Sequence, residues 1–173
     1  MSGGAGNISD RINLVIDKIS ELFIGDREVL VKILAAILAG GHVLMEDVPG
    51  MGKTFLSKIL AKVLGLRYSR IQFTPPTFCP ATSWAPRYGG KIGGAFETVL
   101  GPIFSNFVLA DEINRASPPK VQSALLEAMQ EGQVTIEGET MQLPNPPFIV
   151  IATQNPIELE GTYPLPEAQL DSS

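Results

Sequence analysis

Asp47-Val48-Pro49-Gly50-Met51-Gly52-Lys53-Thr54 stands between a stretch that reads as a buried strand, His42 to Glu46, and a stretch from Thr54 to Leu64 whose apolar residues recur at helical spacing. Strand, glycine-containing loop, Lys-Thr and helix, in that order, is the layout of a phosphate-binding P-loop. Glycines and a helix N-terminus leave backbone N–H groups free to converge on an anion, and the helix dipole adds to their pull. In that reading Pro49, Gly50, Met51, Gly52, Lys53, Thr54 and Phe55 surround the nucleotide phosphates. Lys53 supplies a charge to the terminal phosphates, and the Thr54 hydroxyl a ligand for Mg²⁺. The stretch departs from the G-x-x-x-x-G-K-[ST] pattern at one place, where Asp47 stands for the first glycine.

Upstream, Ile12, Val15, Ile16, Ile19, Leu22 and Phe23 recur at spacings of three and four, which predicts an amphipathic helix from Ile8 capped by Asn7 or Ser9. Asp26 caps a second helix running to Ala39, and Gly40-Gly41 ends it. Downstream, Arg67 to Phe73 alternates as a strand does, and Pro75-Pro76 stops it. Phe107-Val108-Leu109-Ala110, fully apolar, and Phe148-Ile149-Val150-Ile151-Ala152-Thr153 read as short buried strands, the mark of a sheet covered on both faces. Between them, Ser117-Pro118-Pro119 opens a helix reaching Glu131-Gly132, and Gln133 to Leu143 reads as a hairpin turning at Gly138. Strands alternating with helices predict an α/β fold, a three-layer αβα P-loop NTPase with a mainly parallel sheet. Met1 to Gly6 reads as a flexible tail, and residues 7–173 as one nucleotide-binding core.

In such sheets ligands bind beyond the carboxyl ends of the strands. The run ending in Asp111-Glu112 has the layout of a Walker B strand, with Asp111 for the Mg²⁺ shell and Glu112 to align a water on the γ-phosphate. Asn155, at the tip of the next apolar strand, places an amide where it can hold the same water. The expected site is therefore ATP with Mg²⁺, with Lys53, Glu112 and Asn155 as catalytic groups and Thr54 and Asp111 on the metal.

With 173 residues, 45% hydrophobic and 18% charged, the chain has the material for a packed core. A net charge of −5 argues against a general nucleic-acid surface. The single cysteine, Cys79, excludes an intramolecular disulfide, and no run approaches the roughly 18 apolar residues of a membrane span. The expectation is a cytoplasmic chain without a membrane span.

The residues resemble the MoxR branch of the AAA+ ATPases over nearly the whole chain. The resemblance is carried by 38–44, 48–54, Gly101-Pro102-Ile103-Phe104, Leu109 to Ala116, Gln122 to Met129, Ile151 to Pro156 and Gly161 to Asp171. It implies Lys53 and Thr54 on phosphate and Mg²⁺, Asp111 and Glu112 as Walker B, Asn155 as sensor 1, and Ile24-Gly25 lining the adenine pocket. It implies a hairpin at Lys91 to Leu100 inserted in a helix. It also implies a hexameric ring of identical subunits, with chaperone-like remodelling or cofactor insertion in partner proteins, often beside a von Willebrand A domain protein. A magnesium-chelatase or MCM-like ATPase subunit shares much of this pattern, and a non-hydrolysing assembly module would keep the nucleotide without the base.

The chain departs from the family pattern in two places. Pro76 to Tyr88 stands where the family continues Asp-Leu-Leu-Pro-Ser-Asp and then Gly-Thr. Read two bases out of frame, codons allowed for Pro76 to Tyr88 spell Asp-Leu-Leu-Pro-Ser-Asp-Val-Leu-Gly-Thr-Pro-Val. A frameshift opened near Pro75-Pro76 and closed before Gly89 is the expected origin, and the length of the C-rich run in the DNA decides it. At the other place Asp171 is followed by Ser172-Ser173 where the family has Arg-Phe, the expected arginine finger, and then a last strand and a helical lid. Weak ATP binding and impaired turnover are the expectation for the chain by itself. If the family's strand order holds, the strand entering the P-loop lies at the sheet edge.

Overall fold

The computed structural model describes residues 7–46, 52–73, 87–92, 95–115, 119–136, 138–144 and 146–154, with backbone alone described at 87–92, 95–99, 119–122 and 136. Helix α1 spans Ile8–Leu22 and α2 spans Arg27–Leu38. The Asn7 carboxamide oxygen accepts from the Ser9 N–H at 3.4 Å, which selects Asn7 as the cap, and the Asp26 carboxylate accepts from the Glu28 N–H at 2.8 Å. Strand β1 (Val43–Glu46) precedes helix α3 (Lys53–Val63), which is followed by β2 (Tyr68–Gln72). A hairpin, β3 (Arg87–Ile92) and β4 (Ala95–Val99), leads on to β5 (Phe107–Asp111). A 3-10 turn at Ile113–Arg115, helix α4 (Pro119–Glu131), the hairpin β6 (Gln133–Ile136) and β7 (Glu139–Gln142), and β8 (Ile149–Gln154) complete the order.

The central sheet runs β1-β8-β5-β2, and every pairing in it is parallel. Parallel strands lay all their carboxyl ends along one edge, so Glu46, Gln154, Asp111 and Gln72 share that edge. Among the described strands β1 is hydrogen-bonded on one side only, to β8, as the family's strand order implies.

Side-chain alternation sorts the sheet into two faces. Phe107, Leu109, Ile149 and Ile151 pack with Ile16 and Ile19 of α1, Leu30, Ile33 and Leu34 of α2, and Leu56, Ile59 and Leu60 of α3. Val108, Ala110, Val150 and Ala152 face the other way, toward Leu125 and Ala128 of α4 and Val134 of β6. Phe107, Leu109, Val108, Val150 and Ile151 are wholly inaccessible to solvent, each burial favouring the fold by about 1.5–3 kcal/mol. Because both faces are covered, these strands read as continuous apolar runs.

Two expectations change. The insert hairpin starts at Arg87, earlier than Lys91, because a Gly-rich, polar arm shows no hydrophobic period. On its C-terminal side residues 101–106 form turns, so among the described residues no helix resumes before β5. The tail 1–6, most of Pro76 to Tyr88 and all of 155–173 lie outside the described residues. Among the described residues no helix is long and apolar enough to cross a membrane.

Candidate functional site

Helix α3 starts at Lys53 behind Gly52, whose φ of +69° is a left-handed conformation that glycine adopts at low cost. Its N-cap is this glycine, which makes no side-chain cap. Gly52, as the residue before the first turn, has no side chain of its own to offer the first-turn N–H groups. That helix end and the carboxyl end of β1, Met45 and Glu46, line one cavity. Lys53 and Thr54 are half-buried there, and Phe55 is exposed.

A cavity of about 1070 Å³ opens between α2, β1 and the start of α3, and its lining includes Ile24, Gly25, Gly52, Lys53 and Phe55. The Phe23 ring joins the two glycines. A Cβ on Gly25 would lie 2.2 Å from the Phe23 ring, and one on Gly52 3.2 Å from its opposite edge. A side chain at Gly25 would displace the ring, whereas one at Gly52 would ask it to give by only a few tenths of an ångström, and there the left-handed φ is the stronger demand for glycine. Sequence reading takes Phe23 only as the end of a helical pattern. Its place directly before Ile24-Gly25 was the available signal.

Asp111 ends β5 on the face that α3 covers, with its side chain 17% exposed. Its Oδ2 accepts from Arg70 Nε at 3.1 Å and from Arg70 Nη2 at 2.5 Å. Its Oδ1 accepts from the Thr153 hydroxyl at 2.5 Å. Glu112 follows at φ +58°, the one non-glycine residue with positive φ among those described. Its N–H donates to Thr153 Oγ1 at 3.0 Å, its carbonyl accepts from the Arg115 N–H at 2.9 Å, and its carboxylate lies 3.6 Å from Arg115 Nη1. A left-handed non-glycine residue costs on the order of 1–3 kcal/mol and persists where its surroundings over-determine it. These contacts do that, and they turn the chain away from the strand so that successive acids point differently.

The structure thus brings Ile24, Gly25, Gly52, Lys53 and Phe55 together around one cavity, while Thr54, Asp111 and Glu112 stand outside its lining. Pro49, Gly50, Met51 and Asn155 lie outside the described residues. Sequence reading missed Arg70 and Thr153, which hold Asp111 from two sides. Arg70 reads as one polar residue of an alternating strand, and Thr153 as one more β-branched strand former. The signal for Thr153 was parity. Ile149, Ile151 and Thr153 share a face, and the register opposes Phe107 to Ile149 and Leu109 to Ile151, so Asp111 falls beside Thr153.

A parallel α/β sheet with a glycine-led helix and an acid pair along one edge has the architecture of a P-loop protein. The family profile of the ATPases associated with various cellular activities (AAA) matches residues 42–173. The chain is 56% identical over 156 residues to the uncharacterized protein YeaC of Bacillus subtilis, covering 90% of this chain and 48% of that protein. It is 47% identical over 172 residues to chaperone MoxR1 of Mycobacterium tuberculosis, covering 98% of this chain and 45% of that one. A crystal structure of a suspected ATPase from Cytophaga hutchinsonii superposes with a TM-score of 0.79 at 50% identity, over 94% of this chain and 48% of that one. An MCM homologue from Methanopyrus kandleri shares the fold at a TM-score of 0.64 and 20% identity, over 94% of this chain and 36% of that one. The chain belongs to the AAA ATPase family, in its MoxR-type branch. It spans about half the length of the curated relatives it matches.

Proposed function

We propose that this chain binds ATP with Mg²⁺ and hydrolyses it, and that in the whole protein turnover drives the remodelling of partner proteins. The observation that carries the reading is the glycine-led N-terminus of α3, with Lys53 lining a large cavity, following a strand whose carboxyl end shares the sheet edge with Asp111. An anion is what such a helix end attracts. Residues 7–173 then act as the nucleotide-binding core. The adenine ring lies against Ile24 and Gly25, and the phosphates against residues 49–55.

The donor set suits Mg²⁺. Among the described residues no group of three His, Cys, Asp or Glu side chains gathers to cage a metal by itself. One carboxylate and one hydroxyl, Asp111 and Thr54, is the sparse protein contribution Mg²⁺ takes when substrate phosphates and water complete its shell. Bound there, the ion neutralises charge on the phosphates. Glu112 and Asn155 orient the attacking water, and Lys53 holds the terminal phosphate. A hexameric ring of identical subunits, a von Willebrand A domain partner and a cytoplasmic setting belong to the same proposal, and are supported by the family alone.

The test is a titration with a fluorescent ATP analogue, comparing wild type with Lys53→Ala and Glu112→Gln. Losing a charge-assisted contact costs about 1.5–3 kcal/mol, so Lys53→Ala is expected to weaken binding roughly 10- to 100-fold. Glu112→Gln is expected to keep affinity and lose turnover. Equal affinity in wild type and Lys53→Ala would refute the assignment.

A further inference from the structure

We infer that Thr153 is a positioning residue for the acid pair, its single hydroxyl setting both the Asp111 carboxylate and the Glu112 backbone in the geometry the metal and the water require. The inference rests on the nucleotide reading above and deepens it. Thr153 is 4% exposed, so its hydroxyl has no ready exchange with solvent. The hydroxyl donates to Asp111 Oδ1 at 2.5 Å and accepts from the Glu112 N–H at 3.0 Å. One oxygen therefore fixes two neighbouring residues in different ways, orienting the side chain of the first and the backbone of the second.

Both bonds bear on function. A carboxylate free to rotate presents its oxygens to a cation only part of the time, whereas one held at Oδ1 is pre-organised. Glu112 sits at φ +58°, and the hydrogen bond to its N–H is one of the contacts opposing relaxation to an ordinary strand conformation. Thr153 also pairs with Met45 on β1, the strand that feeds the P-loop. The residue therefore stands between the phosphate side of the site and the acid side. Only a hydroxyl both donates and accepts at this size, so Ser replaces Thr153 and Val, its near-isostere, does not.

The experiment compares wild type, Thr153→Val and Thr153→Ser by fluorescent-ADP affinity in EDTA and across a Mg²⁺ titration. Alongside it, the Glu112 amide resonance is followed in ¹⁵N-labelled protein. Thr153→Val is expected to raise the Mg²⁺ concentration at half-effect about tenfold with the EDTA affinity unchanged, and to move the Glu112 amide to the position of a lost hydrogen bond. Thr153→Ser is expected to stay within about twofold of wild type on both readouts. If Thr153→Val does not fold, Thr153→Ala carries the same comparison. An unchanged Mg²⁺ requirement in the Val or Ala variant overturns the inference. So does an equal loss of affinity in EDTA and in Mg²⁺, the mark of a merely structural role. A wild type that binds no ADP under either condition overturns the reading of the site itself and is recognised separately, because the amide signature reads the Thr153 bond without nucleotide.

Discussion

His42 offers the sharpest physical test of the fold. It is the chain's single histidine and is 8% exposed. Its Nε2 donates to the Met129 carbonyl at 3.1 Å, and its Nδ1 accepts from the Val150 N–H at 3.1 Å. The β1–β8 ladder begins at Val43 opposite Ile151, so the ring extends that ladder one position and ties it to the end of α4. Replacing His42 by Ala leaves a buried N–H and a buried carbonyl unpaired, each costing about 1–3 kcal/mol; a total of about 3 kcal/mol is expected at pH 8. The contact needs the neutral ring, because a proton on Nδ1 would face the Val150 N–H. Burial lowers the pKa of His42 from its ordinary 6.5, with the Met129 hydrogen bond opposing part of that shift. A lowered folded-state pKa means the unfolded chain binds more protons just below 6.5. The contribution is therefore complete above pH 6.5 and is lost as pH falls through the folded value, at up to about 1.4 kcal/mol per unit. Urea unfolding of wild type and His42→Ala at pH 8, 7, 6 and 5 reads it. The gap between them is expected to narrow below pH 6.5. A gap that stays constant from pH 8 to 5 would refute the neutral-ring argument.

Glu112→Gly relieves a left-handed conformation, and after the entropy that glycine adds to the unfolded chain a gain of roughly 0.5–1 kcal/mol is expected, together with loss of turnover. Thermal unfolding checks the first half, and a variant less stable than wild type would show that Glu112 side-chain contacts outweigh its strain. Arg70→Met removes the cation that shares Asp111 Oδ2, so the Mg²⁺ concentration at half-effect on nucleotide affinity is expected to fall, opposite in sign to Thr153→Val. Arg70 is 41% exposed, so stability is expected to change by no more than about 1 kcal/mol. A higher Mg²⁺ requirement would mean that Arg70 orients Asp111 rather than competing for it.

The elements that sequence reading locates best carry a strong local period. Helices α1 and α2 are set by apolar spacings of three and four and by Asn7 and Asp26, and β5 and β8 by the apolar runs Phe107 to Ala110 and Phe148 to Ala152. The site follows because Lys53 and Asp111-Glu112 each stand at the end of such an element. Pairings between distant elements leave no local trace. Arg70 meets Asp111 across 41 residues, Thr153 meets it across 42, and His42 meets Val150 across 108. The strand order decides these contacts, and no residue pattern within a single strand encodes its neighbour. The hairpin arm from Arg87 has no apolar alternation for a periodicity argument to detect.

Strand β8 is where stability and site geometry meet, and its alternation explains how. Val150 and Ala152 face α4, and the Val150 N–H takes the His42 ring that ties α4 to the ladder. Ile149 and Ile151 face α3, and the next residue of that parity is Thr153, which holds both acids. A one-residue slip of β8 would exchange the faces, putting Thr153 into the α4 core and Ala152 beside Asp111. Both ladders of β8 are parallel, and Val150 and Ile151 are wholly buried between them, so that slip would expose or overpack several core side chains at once. The packing that stabilises the strand is therefore what fixes the Thr153 hydroxyl against Asp111, and the geometry of the acid pair follows from the register of the core.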